Sequence, residues 1–240
     1  MTAAEFKNEF NIAYNNIMSG AAAPLDDYEI SVFLTKAQEE IVLSLYSGRP
    51  SGILQIEQQE ETRRYLNDLI KREKITITLD PNIKYNGFDI YVASRPSSLW
   101  FILNEKVIND ITSGCYKGND MIVVPLRLDD IDRITKNPFK RPNNKKAYRL
   151  DITDTVNPHE IEILTSVPIK DYTVVYLKKP SPIIVSLLTS LTIDGLSAAS
   201  ITFDLPTSLH RKIVIRAAEI AKSMYQGDLA QVVQLNSRNQ

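Results

Sequence analysis

At Lys74 the spacing of apolar residues changes period, and that change constrains what this chain can fold into. Before it, Phe6, Phe10, Tyr14 and Ile17 recur at intervals of four and three, the stripe of an amphipathic helix that Gly20 ends. Ile30, Phe33, Leu34, Ala37, Ile41 and Leu45 form a broader helical face, opened by the acceptors Asp26 and Asp27 and closed by Ser47-Gly48. A third helix is expected over 51–73, with its EQQEETRR stretch solvated. Beyond Lys74 the texture alternates: ITITL (75–79), FDIYVA (88–93), 100–108, MIVVPLRL (121–128), AYRLDI, EIEILTS and DYTVVYLKK read as strands. Pro81-Asn82 and Asn86-Gly87 mark turns, and Pro125 marks an edge or a bend. Helices followed by strands specify an α+β fold with a mainly antiparallel sheet, not an alternating parallel one.

The expected organisation is a helical region over 1–73, a β-rich domain over 74–205, a C-terminal amphipathic helix over 206–226 packing back on the helical region, and a flexible tail over 227–240. Leu209, Ile213, Ala217, Ile220 and Met224 supply the apolar face of that last helix, and Gly227 closes it.

Composition narrows the function classes. The 28 basic and 29 acidic residues leave a net charge of −1, which argues against a dedicated nucleic-acid or membrane-surface binder. The start, MTAAEFKNEF, has no apolar core of a signal peptide, and PIIVSLLTSL (182–191) is far short of the roughly 20 residues a membrane span needs. No membrane partner is therefore expected, and the chain is read as made in cytoplasm or in a particle assembled there. A single cysteine, Cys115, excludes an internal disulfide and a multi-thiolate metal site. Neither a phosphate-cradling G-x-x-x-x-G-K-[ST] nor a G-x-G-x-x-G motif is present. His159 and His210 read as surface or capping residues, and Cys115 as a bystander thiol. No catalytic residue, metal or cofactor is expected.

Two charged segments invite functional readings. Asp129, Asp130 and Asp132 could hold a divalent metal for phosphodiester cleavage, but they also suit the cap and first turn of a short helix, with Arg133 neutralising Asp129. The segment NPFKRPNNKKAYR (137–149) carries Lys140, Arg141, Lys145, Lys146 and Arg149 and no acid. It reads as an exposed basic loop with Phe139 as its apolar anchor, either an ordinary solvated loop or a surface for phosphates or an acidic partner. Tyr116 and Tyr148 are too few to make a base-stacking platform, so base-specific reading is not expected.

Three stretches carry a family resemblance: FKNEFNIAYNNIMSGAAAPLDDYEISVFLTKAQEEIVLSLY, NPFKRPNNKKAYRLDI, and KKPSPII with the later LPTSLHRKIVIRAAEIAK. Together they resemble the neck ring, or head–tail connector, proteins of crAss-like short-tailed bacteriophages. The resemblance implies a non-enzymatic virion protein forming a ring, commonly dodecameric, between portal and tail. Such a ring lines or seals the DNA channel and takes part in DNA ejection. It implies as partners further copies of the chain, the phage portal, other neck or tail proteins and packaged DNA contacted without sequence specificity. In that setting Phe6, Phe10, Tyr14 and Phe33 are candidates for a subunit interface, and the basic loop for a DNA or partner contact. Two alternatives stay open: a nucleic-acid-binding accessory protein using residues 140–149, and a metal-dependent phage nuclease built on the three aspartates.

Overall fold

The computed structural model describes residues 1–18, 24–47, 60, 64–112, 117–151 and 160–238. Gly20, Gly48, Cys115, His159 and most of the expected third helix lie outside the described residues. The fold is α+β. It divides into two compact units, Ile70–Lys178 and, from both chain ends, Met1–Leu69 with Lys179–Gln240.

The β unit is one sheet of eight strands: β1 (Ile70–Ile75), β2 (Ile77–Tyr85), β3 (Phe88–Ser94), β4 (Leu99–Asn109), β5 (Asp120–Pro125), β6 (Lys146–Leu150), β7 (Glu160–Thr165) and β8 (Ile169–Lys178). Their spatial order is β1-β8-β4-β5-β6-β7-β3-β2. All neighbours run antiparallel except β5 and β6. A parallel pair needs a crossover of about a dozen residues or more. Residues 126–145 provide it and include the short helix α3 (Ile131–Thr135). Consecutive strands β1 and β2 occupy opposite margins of the sheet, yet only Thr76 separates them. Neighbouring Cα atoms are about 3.8 Å apart, so the margins must come within roughly 8 Å at this point and the sheet has to curl. Ile75 from one margin and Ile77 from the other accordingly join one core with Val107, Met121, Ile163 and Tyr172. On the opposite face Ile90, Tyr148 and Leu164 are covered by Ile134 of α3 and by Phe88 and Val124. Asn86 and Gly87, at φ 52° and 88°, make the tight β2–β3 turn, a conformation that favours this Asn-Gly pair.

The helical unit contains α1 (Ala3–Met18), α2 (Asp27–Ser47) and α4 (Thr207–Arg238). Reciprocal capping boxes start the first two. Thr2 and Glu5 exchange bonds of 2.8 and 3.3 Å, and Asp26 and Glu29 exchange bonds of 3.0 and 2.7 Å. Helix α4 packs against both α1 and α2 with Leu209, Ile213, Val214, Ala217, Ala218 and Ala221 buried.

Residues 179–206 complete this unit as an extended arm. Its hydrogen bonds go chiefly to side chains. The hydroxyl of Ser31 donates to the Asp27 carbonyl (2.6 Å) and accepts from the Val185 N–H (3.1 Å). Thr35 repeats the pattern with the Ser31 carbonyl (2.8 Å) and the Ile183 N–H (3.1 Å). Ser200 accepts from the Ile184 N–H at 2.8 Å, and Asp204 accepts from the Ser181 N–H at 2.7 Å. The tip turns at Asp194-Gly195, at φ 50° and 79°, with Ile193 bridged to Leu196.

Several expectations are corrected. Ile70–Ile75 is a strand where a helix was expected through Glu73, because its charged residues face solvent on a sheet margin beside β8. ITITL spans the corner at Thr76 and is not a single strand. Pro125 ends an interior strand, where it donates to no ladder. Residues 179–205 contain no strand and belong with the helices, because Pro180 and Pro182 lack N–H groups and the neighbouring amides are taken by side chains. The last helix does not stop at Gly227: its backbone is helical to Arg238, since the cost of one glycine, about 1 kcal/mol, is spread over the helix-forming residues that follow. Asp130 precedes α3 without a side-chain capping bond and pairs with Arg133 at 2.8 Å, in place of the expected Asp129–Arg133 pair.

His210 is also buried, not at the surface. Its ring packs against Phe6 and Phe203, which also touch each other, with Nε2 3.0 Å from the Leu205 carbonyl and Nδ1 3.2 Å from the Met1 amino group. Burial holds its pKa below the ordinary histidine range. A depressed folded-state pKa contributes stability that is present above the unfolded value and lost as pH falls through the folded one. Stability against heat is therefore expected to fall between pH 7 and pH 5, and His210→Gln, which keeps a donor for Leu205, flattens that dependence in calorimetry. Ser31→Ala leaves the buried Val185 N–H without an acceptor and is expected to cost about 1–3 kcal/mol in denaturant titration.

Candidate functional site

The most strongly perturbed side chains meet inside the curled sheet. Glu105 on β4 sits between Arg149 on β6 and Tyr172 on β8. Arg149 forms an ion pair with Glu105, and the Tyr172 hydroxyl donates to the other carboxylate oxygen at 2.8 Å. The Nε atom of Arg149 lies 3.2 Å from Asp151. Burial pushes the Glu105 carboxyl above its usual range while Arg149 draws it back. Burial and the adjacent carboxylate push the Tyr172 hydroxyl far up. With its oxygens already engaged by Arg149 and Tyr172, this group clamps strands β4, β6 and β8. Removing one partner of such a pair costs more than the pair adds, because the other charge is left buried.

Outside the sheet, the crossover between β5 and β6 is a run of hydrogen-bonded turns. The Asn137 carbonyl accepts from the N–H groups of Lys140 (3.1 Å) and Arg141 (2.9 Å), and its side chain accepts from Phe139 N–H at 2.9 Å. Asn143 does the same for Lys145 at 2.9 Å. The buried Tyr148 hydroxyl donates to the Lys140 carbonyl and holds the turn from beneath. Phe139 is not the anchor: it is 93% exposed, and Tyr148 with the buried Pro142 takes that role. Lys136, Lys140, Arg141 and Lys145 are exposed along the same crossover and form its basic protrusion.

The five basic residues singled out by sequence thus separate. Lys140, Arg141 and Lys145 lie exposed on the turns. Lys146 lies over the Tyr148 ring at 4.6 Å to its centroid. Arg149 leaves the set, since its side chain is 11% exposed and held inside the sheet. The interface candidates are corrected as well. Phe6 and Phe10 are fully buried, with Tyr14 at 3% and Phe33 at 6%, so they form the core of their own helical unit. Large apolar residues left exposed there include Ile12, Leu43, Tyr46, Ile215 and Met224 on the helices and Leu187, Leu191, Leu196 and Ile201 between Lys179 and Asp204. The last four have one legible signal in sequence, charge: between Lys179 and Asp204 the only charged residue is Asp194.

Among the aspartates, Asp132 accepts from the Asn86 amide at 2.9 Å and faces Lys136, and both contacts lower its pKa. Asp130 is paired with Arg133. Among the described residues no group of three His, Cys, Asp or Glu side chains is placed to hold a metal ion, and no helix is long and apolar enough to cross a membrane.

The buried charges of this α+β chain at Glu105 and Arg149 are engaged within the sheet, and its exposed apolar and basic groups stand on ordered arms and turns. Residues 1–231 fit the family described as phage tail ring protein 3/4. The chain is 36% identical to Ring protein 4/5 of Bacteroides phage crAss001, over 100% of both chains. It is 34% identical to Ring protein 3 of the same phage, over 92% of this chain and 95% of that relative. The chain therefore belongs to the phage tail ring protein 3/4 family, and both of these relatives are named ring proteins of one phage.

Arg149→Ala is expected to destabilise the fold by about 3–5 kcal/mol. Joint replacement by Arg149→Met and Glu105→Leu recovers most of that loss, because no charge is then left buried alone. Paired denaturant titrations of the single and double variants check this.

Proposed function

We propose that this chain acts without catalysis, as one subunit of a closed ring in the phage neck or tail, between portal and tail tip, around the path taken by DNA. The observation that carries the reading is its full-length relation to two proteins each called a ring protein. Ring closure needs a heterologous contact, in which one surface of each copy meets a different surface of the next. Its partners in this reading are further copies, the portal and neighbouring neck or tail proteins, with assembly in the host cytoplasm and residence in the virion. A dodecamer matches the portal symmetry that the resemblance implies.

The basic protrusion is the part of the subunit we assign to the channel or to an acidic neighbour. Lys140, Arg141 and Lys145, with Lys136 beside them, offer positive charge to phosphates. Such contacts are independent of base sequence, which suits DNA that only has to pass. In this reading the helical unit supplies contacts between copies and the β unit carries the protrusion.

Replacement of Lys140, Arg141 and Lys145 by Glu tests this. The expected outcome is an unchanged oligomer by native mass spectrometry, with less packaged DNA retained in particles that carry the variant. Unchanged DNA retention removes the assignment of the protrusion, and absence of the wild-type chain from purified virions removes the ring reading. A stable monomer whose DNA affinity falls steeply with salt favours the accessory-protein reading instead.

A further inference from the structure

Phe139 stands 93% exposed on the crossover between β5 and β6. Phenylalanine is among the residues most often buried, because its ring carries a large apolar area and no polar group. Here the backbone holds it in water. The Asn137 side chain accepts from the Phe139 N–H at 2.9 Å, and the Asn137 carbonyl accepts from the next two amides, Lys140 at 3.1 Å and Arg141 at 2.9 Å. Beneath the turn the Tyr148 hydroxyl donates to the Lys140 carbonyl, and Pro142 is buried. Pro138 and Pro142 fix the backbone on either side of the ring. An aromatic anchor held in place this way has little ordering entropy left to lose when a partner covers it.

Cations flank the anchor in the chain. Lys136 precedes it by three residues, Lys140 and Arg141 follow it directly, and all three are exposed. No acidic residue occurs from Asn137 to Leu150. Lys136 has Asp132 at 3.7 Å, whereas neither Lys140 nor Arg141 has an ion-pair partner among the described residues. An apolar centre with charges at its rim is the anatomy of a protein contact, in which the rim selects the partner and speeds its approach. A basic rim calls for a carboxylate-bearing partner.

Two other occupants suit the turn less well. DNA phosphates would pair with Lys140 and Arg141 but give the ring no apolar cover. A phenylalanine meets a duplex as a wedge between base steps, which unstacks and kinks it, and such a hold would arrest DNA that has only to pass. The grooves of a second copy lack the complementary charge. Glu9 is balanced by Arg211 in the groove between α1 and α4, and Glu40 and Glu219 by Lys212 and Arg216 in the groove between α2 and α4. A third, on β1, β8, β4 and β5, sets Arg72 and Lys106 against Asp120. The first two are neutral and the third is basic.

We infer that Phe139, with Lys136, Lys140 and Arg141 at its rim, is a plug that seats in an apolar, carboxylate-rimmed pocket on a different protein of the particle. The inference rests on the ring reading and decides between the two roles offered above for the protrusion, in favour of the acidic neighbour. Loss of packaged DNA on charge reversal then comes from an unsealed joint.

The photocrosslinking analogue p-benzoylphenylalanine, placed at position 139 of the full chain, tests this in assembled particles. The position is exposed, so the substituted chain keeps its fold, which circular dichroism checks. Irradiated virions are expected to give a crosslink from position 139 to a different virion protein, at a segment that contains Asp or Glu. Against that protein in purified form, Phe139→Ala is expected to bind roughly 30-fold or more weakly, the effect of truncating a central anchor. Lys140→Gln with Arg141→Gln is expected to slow association and flatten its salt dependence, with dissociation nearly unchanged. Wild type and Phe139→Ala are expected to bind a labelled short duplex alike. A crosslink to a second copy or to DNA, no crosslink in virions that carry the chain, wild-type affinity in Phe139→Ala, or weaker duplex binding by Phe139→Ala overturns the inference. Absence of the wild-type chain from virions removes the ring reading itself, so the two failures are told apart.

Discussion

Thr76 is the only residue between β1, at one margin of an eight-stranded sheet, and β2, at the other. A peptide link of that length leaves no room for an open sheet. The margins must approach, the sheet curls, and the inward side chains of β1 and β3–β8 fall into one core together with Ile77 of β2. Everything else in the β unit follows from that closure. The interior is enclosed well enough that Glu105 can remain charged there only with Arg149 and Tyr172 beside it. The parallel β5–β6 pair forces a crossover onto the outer face, where Ile134 of α3 covers Ile90, Tyr148 and Leu164. The basic protrusion is the return leg of that crossover.

The helical unit relies on a different device. An extended arm with two prolines cannot satisfy its amides in a ladder, so α2 presents hydroxyls to it. Ser31 and Thr35 each donate inside the helix and accept from the arm. This accounts for buried Ser31, Thr35 and Gln38 in the middle of a helix whose other buried positions are largely apolar. It also leaves the arm ordered, with Leu187, Leu191, Leu196 and Ile201 exposed on its other face.

The family resemblance and the α+β class were legible in residues alone, and so were most strands, the Asn86-Gly87 turn and the apolar stripes of α1, α2 and α4. What misled was the meaning of particular side chains. Arg149 belongs to a basic run in sequence, but as a β6 residue its side chain points to the opposite face from Tyr148 and Leu150. Phe139 was read as an anchor because aromatics usually bury, while the asparagine-held turn holds it in water. The aromatics of α1 were read as an interface because a lone amphipathic helix does not reveal which body covers it; Phe203 and His210 cover Phe6.

Local periodicity by itself determined where helices and strands form, because side-chain alternation and stripe spacing act within a few residues of one another. It also determined that no glycine-rich phosphate loop and no cysteine cluster is available for chemistry. Tertiary structure alone decided that the arm at 179–206 joins the first helices, that Arg149 turns inward and Phe139 outward, and that large aliphatics of the arm stay exposed. Those outcomes depend on contacts between residues more than a hundred positions apart, such as Ser31 with Val185 and Glu40 with Arg216. No local pattern encodes such pairs, since each side chain is ordinary in its own neighbourhood and becomes informative only beside its partner.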